Sequence, residues 1–230
     1  MYPTESESSL IKAAEELMNE TMARYDPSHD AYHVQRVRKT ALSIAAQITG
    51  PTCTPDLLVV ELAALLHDVL DKKYVSAEQA ADPYSYFLPF FQKHSSPGLD
   101  LIADGRAKAI SEIVSNVSWT NEKKLRKLGE WSEWHESCAE LHCVQDADRL
   151  DAIGAFGILR CAAYTSVVNN PLYTAPDDPA QETSAIQHFH DKLVLIKDRL
   201  KTEPGRKLGQ KRHDVILRFL ESVEEEANGL

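Results

Sequence analysis

Leu57-Leu58-Val59-Val60-Glu61-Leu62-Ala63-Ala64-Leu65-Leu66-His67-Asp68-Val69-Leu70 is apolar on nearly every side and then carries an imidazole and a carboxylate next to each other. A helix with no polar face belongs in the middle of a bundle. The residues before it start such a helix: Thr54 can cap, Pro55 suits the first helical position, and Asp56 complements the dipole. The stretch therefore predicts an interior helix over 55–72. An unpaired carboxylate buried there would cost several kcal/mol or stay protonated. A bound cation is one group that could compensate it.

Working outward, helical periodicity dominates. Residues 7–24 align Leu10, Ala14, Leu17 and Thr21, with a capping box of Thr4 and Glu7 in front. Residues 31–48 carry Val34, Val37, Ala41, Ile44 and Ile48 on one stripe. From 73 to 106 the pattern breaks around Tyr, Pro and Gly, with Phe87, Phe90 and Phe91 marking a short packed piece. Helical patterns return over 107–119 and 140–164, separated by the charged, surface-type stretch 122–136. Turn chemistry fills Asn169 to Pro179. Two last helices run over 183–201 and 206–226. No Val/Ile alternation is long enough for a sheet. The expected class is all-α, one domain over 1–230 with C-terminal helices at about 183–226 packed on its core.

Bulk properties bound the function. The 230 residues are 43% hydrophobic and 26% charged, and contain no apolar run long enough to span a membrane. The N-terminus has no secretory pattern, and the four cysteines lack Cys-x-x-Cys spacing, so a cytoplasmic protein with reduced thiols is expected. A net charge of -10 excludes a polybasic nucleic-acid or membrane binder. His135, Cys138, His142 and Cys143 lack zinc-loop spacing.

Two other helices carry misplaced polar groups. His33 starts the buried stripe of its helix near the N-terminus, where the dipole keeps imidazole neutral and able to bind metal. Asp148 lies in line with Ala152, Ala155 and Leu159, flanked by Asp146 and Asp151. Two imidazoles and two carboxylates suit Mn, Fe, Co, Ni or Zn better than Ca. By spacing alone the same residues also fit a hydrogen-bonded core histidine, an amphipathic helix with Glu61, Asp71 and Lys72, and a helix start at Asp146–Asp148.

His29-Asp30-Ala31-Tyr32-His33-Val34-Gln35-Arg36-Val37, Ala64 to Lys72 around His67-Asp68, and Val144 to Gly154 around Ala147-Asp148-Arg149-Leu150 resemble the three motifs of the HD superfamily of metal-dependent phosphohydrolases. The last motif is similar to the YpgQ/YedJ-like subgroup, as are His188-Phe189, Lys192-Leu193, Thr202, Gly205-Arg206 and Arg212-His213. The resemblance implies an HD-domain helical bundle with its core at about 29–155. It implies one metal held by His33, His67, Asp68 and Asp148, with manganese first and Co, Ni, Fe, Zn or Mg as alternatives. Asp148 rather than Asp146 matches the Ala-Asp-Arg-Leu core. The implied activity is hydrolysis of nucleoside triphosphates or related nucleotides, with pyrophosphate release favoured. Segment 73–106 is longer than the subgroup usually has. Ile110 to Trp119 lacks the extra histidines of two-metal members, which argues for a single ion.

Around such an ion, Asp68 and Asp71 are the catalytic carboxylates, Asp71 orienting water or fixing His67. Lys72 follows Asp68 by four residues and is the nearest cation for a phosphate oxygen, or a simple C-terminal helix charge. Further substrate contacts are expected from Arg149, His188, Lys192 and Arg212, with Arg36 as another cation and Asp151 on a sugar hydroxyl or behind a ligand. The alternatives are an HD-fold iron oxygenase and a non-catalytic regulatory module stabilised by metal.

Overall fold

Apolar patterning and local caps decide where each helix starts and ends. The computed structural model describes residues 2–49, 54–70, 75–76, 78 and 81–230. Its helices are α1 (Glu5–Met22), α2 (Ala31–Ala45), α3 (Leu57–Leu66), α4 (Pro83–Lys93), α5 (Arg106–Asn116), α6 (Trp119–Leu128), α7 (Glu133–Ser137), α8 (Ala139–Asp151), α9 (Gly154–Val167), α10 (Ala185–Asp191) and α11 (Glu203–Ala227). Short 3-10 turns lie at Gln181–Thr183 and Leu193–Arg199. No strand forms among the described residues; a lone bridge joins Ser96 and Leu99. The class is all-α, as expected.

Helix α3 is the axis. Leu58 through Leu66 are all buried, and α1, α2, α5 and α8 pack around them. Its cap is Asp56 and not Thr54: the carboxylate accepts the N–H groups of Leu58 and Val59, two of the donors a helix start leaves open. The helix is also shorter than 55–72, because residues 67–70 turn and 71–74 lie outside the described residues. The Thr4–Glu7 capping box forms at the head of α1. Inside 73–106, α4 buries Phe87 and Phe91 against the core.

Three expected elements come out differently. The helix over 140–164 is two helices, α8 and α9, bent by 67° at Ala152–Ile153. Gly154 supplies the bend with φ 75, a conformation that side chains with a Cβ rarely adopt. The line from Asp148 to Leu159 is therefore broken, and Leu159 is 65% exposed. The helix over 183–201 stops at Lys192, which leaves helical geometry at φ -136. The charged stretch 122–136 forms α6 and α7 at the surface, yet Glu122 is buried. At the far end α11 packs on α8 and α9, with Thr202 as its cap.

Candidate metal centre

Asp30 caps α2 by accepting the His33 backbone N–H at 2.8 Å. That fixes the first turn and aims the His33 ring, 1% exposed as a residue, at the end of α8. There its Nδ1 lies 2.7 Å from Asp151 Oδ2. An ionised carboxylate only accepts, so Nδ1 carries the proton and Nε2 presents a lone pair on the other side. His67 follows the last residue of α3 and folds back, its Nδ1 donating to Ala64 O at 2.7 Å. A carbonyl also only accepts, so in neutral His67 the Nε2 lone pair points away from the helix. The two rings stand 5.4 Å apart at 73°.

Both lone pairs meet carboxylates. Asp68 Oδ2 is 3.3 Å from His67 Nε2 and 3.5 Å from His33 Nε2. Asp148 Oδ1 is 3.5 Å from His33 Nε2. These separations are long for hydrogen bonds, and His67 Nε2 and Asp68 Oδ2 are buried with no hydrogen-bond partner among the described residues. Ligands about 2.1 Å from one metal, at tetrahedral or octahedral angles, stand about 3.0–3.4 Å apart. Among the described residues His33, His67 and Asp68 form a group whose ligand atoms lie within 4.8 Å of one another, so this trio could hold a metal ion. Asp148 lies outside the trio but faces it from α8.

The electrostatics fit a cation. Burial by itself lowers the His67 pKa, and the Asp68 carboxylate overrides it, raising the value to about 9. Burial would raise the Asp68 pKa, and the facing imidazoles of His67 and His33 hold it well below the usual carboxylate range instead. Without metal, a proton does the neutralising.

Asp151 is where the expectations change most. It is buried, and its oxygens accept from His33 Nδ1, from Arg36 Nε and Nη2 at 2.8 and 2.9 Å, and from Arg160 Nη1 at 3.2 Å. No face is left for a sugar hydroxyl, so Asp151 supports a histidine and two arginines. Burial would raise its pKa; His33, Arg36 and Arg160 outweigh that and depress it. Arg36 lies with its guanidinium carbon 4.3 Å over the Phe156 ring, and Arg160 Nε bonds Ser28 O at 2.6 Å. Arg212 is tied to the end of α8 through Leu150 O at 2.5 Å.

The other expected residues fall in different places. Arg149 does not face this centre: it is 5% exposed and bonds Glu122 and Arg199 O. Its position one residue after Asp148 turns it about 100° around α8. His188 lines a separate polar pocket with Tyr164, Thr165, Asn170, Glu182 and Asp191. Exposed Lys192 stands beyond the end of α10, so the two no longer share a continuous helix face. Asp146 is buried and accepts the N–H groups of Lys201 and Thr202, serving the start of α11. Asp71 and Lys72 lie outside the described residues. Arg160 was not anticipated. It reaches Asp151 only because the chain bends between them, and Gly154 within an apolar pattern was the one signal of that bend.

The model of the HD domain family matches residues 30–153. The Bacillus subtilis (strain 168) protein YpgQ is 32% identical over 203 residues, spanning 88% of this chain and 86% of its own. The structure of Bacillus subtilis YpgQ in complex with ADP superposes with a TM-score of 0.69 at 26% identity, covering 96% of each chain. An HD-superfamily hydrolase from Bacillus thuringiensis has the same fold, with a TM-score of 0.72 at 24% identity over 97% of this chain and 100% of the other.

Proposed function

The chain belongs to the HD-domain family, and from that premise we propose that it is a metal-dependent phosphohydrolase that hydrolyses nucleoside triphosphates or related nucleotides with release of pyrophosphate. The observation that carries this reading is the pair of imidazoles whose Nδ1 atoms are committed to Asp151 and Ala64 O while both Nε2 atoms face Asp68. That is the arrangement of neutral histidine ligands held by outer partners. His33, His67, Asp68 and Asp148 hold one divalent transition metal, manganese first among the candidates. Such an ion supplies a water of lowered pKa and polarises a phosphate oxygen.

The protein's own groups do the rest. Asp151 and Ala64 O keep the Nδ1 proton on each imidazole, turn each Nε2 toward Asp68 and fix the ring planes. Arg36 and Arg160 set two guanidinium charges against the carboxylate of Asp151 on the Nδ1 side of His33, the side away from Asp68 and Asp148, and so offer cations for a phosphate group near the centre. Asp71 and Lys72, adjacent in sequence to the His67–Asp68 turn, remain the candidates for orienting water and for meeting a phosphate oxygen. The nucleotide assignment draws on the ADP bound to YpgQ.

The test is release of pyrophosphate and orthophosphate over a panel of ribo- and deoxynucleotides with Mn, Co, Ni and Mg, beside Asp68→Ala and Asp148→Ala. Metal-dependent pyrophosphate release that vanishes in both variants supports the reading. Undiminished activity in either variant removes the mechanism. Turnover of phosphomonoesters alone keeps the site and changes the substrate. Two irons per chain with oxygen uptake would move the protein to the oxygenase class.

A further inference from the structure

We propose a second anion site, separate from the metal centre, where Arg126, Arg149, Arg199 and Lys201 gather around Trp119 and Trp131 to take a small tetrahedral oxyanion of the phosphate type. Three of these cations share one buried carboxylate: Glu122 accepts from Arg149 Nη2 at 2.6 Å and Arg126 Nε at 3.0 Å, and Lys201 Nζ stands 3.0 Å away. The other acids nearby are Glu136, bound to Arg126 at the surface, Asp146, already engaged by the backbone of Lys201 and Thr202, and Glu112, which acts on His135 beside Trp131. Arg199 adds a fourth cation, 4.4 Å over Trp119, and Arg149 is 5.3 Å over the same ring. Four cations thus gather around one buried carboxylate, in a chain of net charge -10.

Donors are left over as well. Arg149 Nε, on a residue 5% exposed, has no hydrogen-bond partner among the described residues; neither has buried Trp131 Nε1. Lys201 Nζ, 3.0 Å from Glu122 and 4.3 Å over Trp131, carries three N–H donors and meets one carboxylate. Buried donors without acceptors are costly, and an oxyanion offers several acceptors at once. The mutual repulsion of the cations has the same remedy: burial and then Arg149 lower the Arg199 pKa.

All three tryptophans of the chain, Trp119, Trp131 and Trp134, border this cluster, so intrinsic fluorescence reports on it locally. The full-length protein is titrated with inorganic phosphate, with AMP, and with chloride at matched ionic strength. A saturable change with phosphate and AMP, absent with chloride, is expected. Arg199→Gln, whose fold is checked by circular dichroism, weakens it about tenfold or more, the scale of one charge-assisted bond. Lys201→Met does the same, and Arg36→Gln leaves it intact. An equal response to chloride, a response to AMP alone, or unchanged binding in both Arg199→Gln and Lys201→Met overturns the site. None of these readouts depends on turnover, so the proposal can fail while the hydrolase reading stands.

Discussion

Asp151 Oδ2 lies 2.7 Å from His33 Nδ1, joining residues 118 positions apart in the chain. Through that one hydrogen bond the end of α8 fixes which nitrogen of a ring on α2 carries the proton. Asp151→Asn keeps the shape but no longer requires a proton on Nδ1, and it releases the charge that holds Arg36 and Arg160. Metal affinity is expected to fall about 10–100-fold, the usual effect of removing such a partner. Competition titration against a chromophoric chelator measures it; an unchanged affinity would show that His33 is oriented by other means.

Asp148 is the test of whether α8 completes the centre. Its carboxylate stands 3.5 Å from His33 Nε2 and its side chain is 31% exposed. Asp148→Ala should therefore fold normally while losing about 100-fold or more in turnover, since on the proposed reading it removes a direct ligand and not an outer partner. Turnover against thermal melting separates the two effects.

On the proposed reading, metal and proton compete for His67. With its pKa raised to about 9 in the metal-free protein, the ring stays protonated through neutral pH, and the metal must displace that proton. Apparent metal affinity should rise by up to about tenfold per pH unit between 6.5 and 8.5. The sign reverses for the metal-free fold. A raised pKa contributes stability that is complete below the ordinary value of 6.5 and disappears as pH climbs through about 9. Melting curves of chelator-treated protein from pH 6 to 9.5 give the second slope, and calorimetric metal titrations give the first.

Glu122 contributes to the acid limit of the fold, together with Asp68 and Asp151. Burial would raise its pKa, but Arg149 and Lys201 pull it from 4.5 down to about 2. A depressed carboxylate stabilises the fold above the ordinary value, and that contribution is lost as pH falls from 4.5 toward 2. Glu122→Gln should lower stability at pH 7 and flatten the dependence across that interval. Denaturant melts at several pH values decide it.

Gly205 sits where Asp146 meets the start of α11. A Cβ there would approach Asp146 Oδ2 to 2.3 Å and Thr202 Oγ1 to 2.7 Å. Gly205→Ala ordinarily helps a helix, but here overpacking should cost about 2 kcal/mol, lowering Tm by about 4–8 °C. A rise in Tm would mean that the cap gives way without cost.

The sequence by itself determined the helical class and the position of the interior helix, because burying every face of Leu57 to Leu66 leaves one solution. It also exposed His33, His67 and Asp68, since ionisable groups among buried apolar neighbours need a compensating partner. Local pattern could not decide what Asp151, Arg149 and Arg160 do. Their directions depend on the bend at Ala152–Ile153 and on which helix lies across from each side chain. The bend turns Arg160 toward Asp151, while Arg149, next to Asp148 in sequence, is directed to Glu122 on α6. Periodicity is a property of one helix, and these contacts join residues on several, so only the folded chain settles them.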